Sequence, residues 1–88
     1  MEIIKTASAG TMESSDVYVE IEPASGIQIN VESVVKGQFG DAIRQVVEEV
    51  LQEQGVENAC VNIADRGALD CVIRARVETA VLRGRGSV

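Results

Sequence analysis

Eighty-eight residues with a formal net charge of −6 make one small domain, long enough for a modest core and a net stability of about 5 to 15 kcal/mol. Hydrophobic residues make up 45% of the chain but aromatic residues only 2%, so the core must be built from Val, Ile, Leu and Ala, with Tyr18 and Phe39 as the only aromatic fillers. The negative charge repels phosphate backbones and anionic lipid, and the aromatic rows that stack single-stranded bases are missing, so nucleic acid and membrane are excluded as partners.

In chain order, the apolar run at Ile3-Ile4 is too short for a signal peptide, and no stretch approaches the roughly 20 apolar residues of a membrane span. A cytoplasmic location is the expectation. Residues 3–13 read as an opening strand that pairs with residues 17–22 across a two-residue hairpin tip at Ser14-Ser15. In the outgoing arm Val17, Val19 and Ile21 alternate with Tyr18, Glu20 and Glu22, which predicts one buried and one wet face. Pro23-Ala24-Ser25-Gly26 supplies a turn, and Ile27, Ile29 and Val31 repeat the alternation. Three consecutive antiparallel strands are the simplest arrangement of these runs.

From Val35 the period changes to that of a helix, with Val35, Phe39, Ala42, Ile43, Val46, Val47, Val50 and Leu51 on one stripe. Ser33 is the candidate N-cap and Gly55 the candidate stop. Gly37 and Gly40 would each cost such a helix about 1 kcal/mol, which moves the expected start toward Phe39. The opposite face carries Asp41, Arg44, Glu48, Glu49, Gln52 and Glu53, readable as a solvated face or as an acidic docking surface. Residues 1–59 hold eleven acids against three bases, for −8, while residues 60–88 hold three acids and five arginines, for +2. Ala59, Val61 and Ile63 mark a fourth strand, which a right-handed crossover through the helix places parallel to the third. Asp65-Arg66-Gly67 turns the chain, with Asp65 able to cap a second helix. Leu69, Val72, Ile73, Val77, Ala80 and Val81 fit that helix, and about fifteen residues is too long for the alternative strand.

The chain has no histidine, so it cannot assemble a Ser-His-Asp arrangement, and no catalytic residue is assigned. Cys60 and Cys71 lack the close spacing of zinc ligands, so no metal site is expected, and both are read as reduced thiols in or near the core. Gly84-Arg85-Gly86 lacks the strand and helix context of a nucleotide loop. Ser14-Ser15, set between Glu13 and Asp16, is then either a polar turn with no further role or an attachment point modified by another enzyme.

The segment Ala9-Gly10-Thr11-Met12-Glu13-Ser14-Ser15-Asp16 is similar to the N-terminal motif of the citrate lyase acyl carrier proteins, the gamma chains of that complex. Gln38-Phe39-Gly40-Asp41-Ala42-Ile43-Arg44 and Asp65-Arg66-Gly67-Ala68-Leu69-Asp70-Cys71-Val72-Ile73-Arg74-Ala75-Arg76 resemble the same family, in the same order and at similar spacing. The resemblance implies that Ser14 carries a covalent 2'-(5''-phosphoribosyl)-3'-dephospho-CoA through a phosphodiester, with the acyl group on its thiol. It implies the citrate lyase alpha and beta chains and a prosthetic-group transferase as partners. It also implies the work of the subunit: to carry acetyl and citryl thioesters while citrate is cleaved to oxaloacetate and acetate, without catalysis of its own. Family members often have Gly at the position of Ser15, which would suit a positive φ there.

The fold expected from the periodicities is a two-layer α+β domain over residues 1–83. Its four-stranded mixed sheet has two helices on one face, in the order β-β-β-α-β-α, and residues 84–88 form a flexible tail. That differs from the four-helix bundle of ordinary acyl carrier proteins, whose Asp-Ser-Leu signature is absent here. The competing functional reading is a small acidic interaction or regulatory domain with no covalent cofactor.

Overall fold

The computed structural model describes residues 2–34 and 38–86, which form β1 (Ala7–Gly10), β2 (Val17–Glu22), β3 (Ile27–Ser33), α1 (Gln38–Glu53), β4 (Ala59–Asp65) and α2 (Asp70–Gly84). This is the expected β-β-β-α-β-α succession in two layers. The sheet order is β1-β2-β4-β3, with β1–β2 and β2–β4 antiparallel and β3–β4 parallel. The parallel pairing of β3 with β4 matches expectation. The antiparallel pairing of β2 with β3 does not, because β4 lies between them. Burial explains the insertion: β4 buries Ala59, Cys60, Val61, Ile63 and Asp65, whereas β3 fully buries only Ile29. A strand with that much apolar surface needs a neighbour on each side; the more polar β3 is suited to an edge.

Alternation in β2 is complete: Val17, Val19 and Ile21 are buried, and Tyr18, Glu20 and Glu22 are half-buried on the other face. The inward residues meet Ile43, Val46, Val47, Val50 and Leu51 of α1 and Ile73, Val77, Ala80 and Val81 of α2 in one core. α2 packs on β1 and β2 while α1 packs on β3 and on α2, so both helices cover the same face. Ala42, expected on the buried stripe, is exposed; Val35, Gly37 and the Phe39 side chain lie outside the described residues.

Helix boundaries follow local chemistry, with one correction. Ser33 closes β3, and its hydroxyl donates to Asp65 Oδ2 at 2.9 Å; residues 35–37, between this candidate cap and α1, lie outside the described residues. The described helix runs from Gln38. It stops at Gly55, whose φ of 71° lets Val56 N–H reach Leu51 O at 2.9 Å and Gly55 N–H reach Gln52 O at 3.1 Å, a Schellman closure. Asp65 caps a turn rather than α2, because Oδ1 accepts Ala68 N–H at 2.9 Å while the helix begins only after the exposed Leu69. α2 ends at Gly84, which is buried against Ile3 and Ile21, and Arg85 donates to Gln54. Both cysteines are free; Cys60 is buried, but Cys71 is exposed rather than near the core.

No basic residue occupies the last turn of α1, where acids oppose the helix dipole. Arg74 of α2 supplies the missing charge from outside, 2.7 Å from Glu49 and 3.4 Å from Glu53. Core substitutions report on this layer. Ile73→Ala or Val47→Ala is expected to lower unfolding free energy by on the order of 1 to 4 kcal/mol through lost burial and a cavity. Leu69→Ala, at a side chain 71% exposed, is expected to change it by less than about 0.5 kcal/mol. Denaturant midpoints at constant slope measure both, and equal costs at Ile73 and Leu69 would contradict this packing.

Candidate functional site

Residues 11–16 join β1 to β2, so the connection is a six-residue loop and not the two-residue tip expected at Ser14-Ser15. Gly10 accounts for the difference. It ends β1 at φ 94°, and a Cβ there would lie 1.8 Å from Val17 O, so only glycine lets the chain leave the strand at this point. Within the loop, Asp16 N–H donates to Glu13 O at 3.1 Å and closes a turn around Ser14 and Ser15. Ser15 carries the positive φ, 67°, at the position where a type II turn favours glycine.

The turn is braced from three directions. Thr11 Oγ1 donates to Asp16 Oδ2 at 2.7 Å and accepts Glu13 N–H at 3.2 Å, tying the loop's start to its end. Ser15 N–H donates to Arg66 O at 2.7 Å and Arg66 N–H donates to Asp16 O at 2.9 Å, a reciprocal backbone pair with the β4–α2 turn. Arg76 of α2 clamps the Asp16 carboxylate with both arms of its guanidinium: Nε donates to Oδ1 at 3.2 Å and Nη2 to Oδ2 at 3.0 Å. Val17 N–H adds a fourth donor to that carboxylate, at 2.7 Å to Oδ1.

The hydrogen bond from Thr11, then that from Arg76, then the Val17 N–H hold the Asp16 carboxyl down at a pKa of about 2. A carboxyl whose folded pKa lies below its unfolded value stabilises the fold above the unfolded pKa, and that contribution is lost as pH falls through the folded one. For Asp16 the window runs from about pH 4 down to about pH 2. The wild type is expected to melt above Asp16→Asn at pH 6, with the gap closing across that window. A gap that stays constant from pH 6 to pH 2 would mean the carboxylate charge is not what braces the loop.

Above these braces, Glu13, Ser14 and Ser15 are exposed, and the Ser14 hydroxyl takes no hydrogen bond among the described residues. Asp16 turns inward and is neutralised by Arg76, so of the two flanking acids only Glu13 leaves an unpaired charge beside Ser14. The site presents a free hydroxyl on a fixed turn, and the chain has no histidine to activate it. Among the described residues, no cluster of His, Cys, Asp or Glu is arranged to hold a metal.

Sequence reasoning singled out Ser14, which lies exposed on this turn, but missed Gly10, Thr11, Arg66 and Arg76 as supports of the turn. Arg66 and Arg76 stand fifty or more positions away, and no local pattern links them to the loop. The available signal was that residues 9–16 and 65–76 both resemble one family; the structure brings these two blocks into contact.

Comparison with known proteins points the same way. The chain matches the acyl carrier family described as malonate decarboxylase delta subunit (MdcD) over residues 4–84. It is 58% identical to citrate lyase acyl carrier protein 2 of Salmonella typhimurium over 85 residues, covering 94% of this chain and 88% of that one. It is 59% identical to the citrate lyase acyl carrier protein of Escherichia fergusonii over 85 residues, again 94% of this chain and 88% of the relative. Among solved structures, a chain of a Pseudomonas malonate decarboxylase hetero-tetramer in complex with malonate superposes with a TM-score of 0.74 at 26% identity, over 90% of this chain and 82% of that chain.

Proposed function

The chain belongs to the citrate lyase acyl carrier proteins, and from that membership we propose that Ser14 anchors a covalent 2'-(5''-phosphoribosyl)-3'-dephospho-CoA arm. An acyl carrier works as a subunit of a larger enzyme and has no catalytic centre of its own. In this proposal the thiol at the end of the arm bears acetyl and citryl thioesters and presents them in turn to the citrate lyase alpha and beta chains as citrate is cleaved to oxaloacetate and acetate. Residues 1–83 act as one carrier domain in this scheme. The free thiols Cys60 and Cys71 fit a reducing cytoplasm, and no described helix is long and apolar enough to cross a membrane.

One observation carries the proposal: an exposed, unbonded Ser14 hydroxyl on a turn whose backbone is pinned by Arg66 and whose closing residue is clamped by Arg76. During attachment, Ser14 Oγ forms the new O–P bond as the leaving group departs from the activated cofactor. Its proton passes to a base on the transferase. A serine whose turn backbone is held in one conformation suits such an in-line displacement, in which a misplacement of about 1 Å can cost roughly a hundredfold in rate.

Intact mass of the protein purified from citrate-grown cells of its host tests the reading. The expected result is an excess equal to one arm, located by peptide fragmentation on the tryptic segment 6–36 at Ser14. Protein of unmodified mass in an active citrate lyase complex would favour the plain acidic interaction domain.

A further inference from the structure

The fold sorts the acidic residues that the sequence leaves undistinguished. Asp16 is clamped by Arg76, Glu49 and Glu53 are paired with Arg74, and Asp65 is buried with Ser33 and Ala68 N–H as partners. Of the four acids expected to mark α1 as a docking face, Glu49 and Glu53 are thereby paired within the molecule, while Asp41 and Glu48 make no ion pair among the described residues. On the sheet the outcome is different. Glu20 and Glu22 make no ion pair among the described residues, and Glu32 has only Arg66 at 3.5 Å while its own side chain stays 74% exposed.

These three carboxylates share one face. Both helices pack on the side of Val17, Val19 and Ile21, and no described element covers the side of Tyr18, Glu20 and Glu22. Register completes the surface: Glu20 stands beside Asn62, which stands beside Asn30, and Tyr18 lies in a row with Ala64 and Glu32. Asn30 Nδ2 donates to Asn62 Oδ1 at 2.9 Å, which ties β3 to β4 across the middle of this face. The face also adjoins the functional loop, because Tyr18 pairs with Gly10 and Val17 directly succeeds Asp16.

Resting on the carrier reading of Ser14, we infer that this uncovered sheet face docks the carrier onto a basic, Lys- or Arg-bearing surface of a partner lyase chain, next to that chain's active-site entrance. Three incompletely paired carboxylates around a tyrosine complement a cationic surface and repel an acidic one. Contact made there holds the Ser14 loop at the rim of the interface, where a flexible arm can enter the partner without the carrier following it. The same charges accelerate encounter and make it sensitive to salt.

The test compares Glu20→Lys/Glu22→Lys with Asp41→Lys/Glu48→Lys, an equal change of charge on the exposed side of α1. Each carrier is loaded with the arm, verified by mass and by melting temperature, and its association with the purified alpha and beta chains is followed at low and physiological salt. The sheet variant is expected to associate about tenfold or more slowly at low salt, and the helix variant within about threefold of wild type. The neutral pair Glu20→Gln/Glu22→Gln should fall between, guarding against a folding defect in the lysine pair. Equal loss in the sheet and helix variants, or a larger loss in the helix variant, overturns the docking face. Failure of the wild type itself to accept the arm would instead remove the carrier reading, so the two failures are distinguishable.

Discussion

Ser14→Ala is expected to accept no arm from the transferase and its activated cofactor, under conditions where wild type and Ser15→Ala are loaded. Both serines are exposed, but their backbones differ: Ser15 holds the positive φ of 67° and gives its N–H to Arg66, whereas Ser14 stands at the turn's leading position. Their side chains therefore leave the turn in different directions, and an enzyme aligned on one hydroxyl meets the other off line, at a rate cost of roughly a hundredfold per ~1 Å. Loss of the arm should not be loss of the fold. The Ser14 hydroxyl makes no hydrogen bond among the described residues, so the variant should keep its stability within about 0.5 kcal/mol. Mass spectrometry of the three proteins after the transferase reaction, beside their thermal melts, reads both outcomes. Loading of Ser14→Ala at residue 15 would move the anchor by one position, and no loading of any of the three would return the chain to the interaction-domain reading.

Gly10→Ala should do the reverse, damaging the fold first and the site through it. The added Cβ would lie 1.8 Å from Val17 O and 3.0 Å from Val17 C, both backbone atoms that no rotamer change can withdraw. The φ of 94° is strained for alanine in any case. Together the positive φ and the overlap are expected to cost about 3 to 6 kcal/mol, comparable to the whole stability of a small domain. Chemical denaturation should show it, along with loss of arm attachment at temperatures where wild type is folded and loaded. A cost under about 1 kcal/mol would mean the loop can leave β1 by another route.

β2 and α1 were legible because each carries a strong period, Val17-Val19-Ile21 and Ile43 to Leu51, whereas α2 was read from its length, since its apolar residues also fit a strand. Strand order was not, because alternation says which face a strand buries and nothing about which strand lies beside it. The near-continuous burial of Ala59-Cys60-Val61 was the one local hint that β4 is central. The exposed hydroxyl was legible for a similar reason, since Ser14 lies outside every periodic run. Its supports were not, because each is a contact between distant segments. Glycine at position 10 reads in sequence like any small residue until Val17 O is known to fill the space of its missing Cβ. The length of the loop was hidden by the same fact.

The clamp between Asp16 and Arg76 joins residues sixty positions apart, and it orders events in time as well as in space. On the ribosome the hairpin emerges long before α2, so a nascent chain, or one cut short before Arg76, displays Ser14 on a loop without its guanidinium brace. The serine reaches its finished geometry only when the last helix has docked. If Ser14 is the anchor, as proposed, attachment would follow docking of the last helix, and a chain cut short before Arg76 is expected to load poorly.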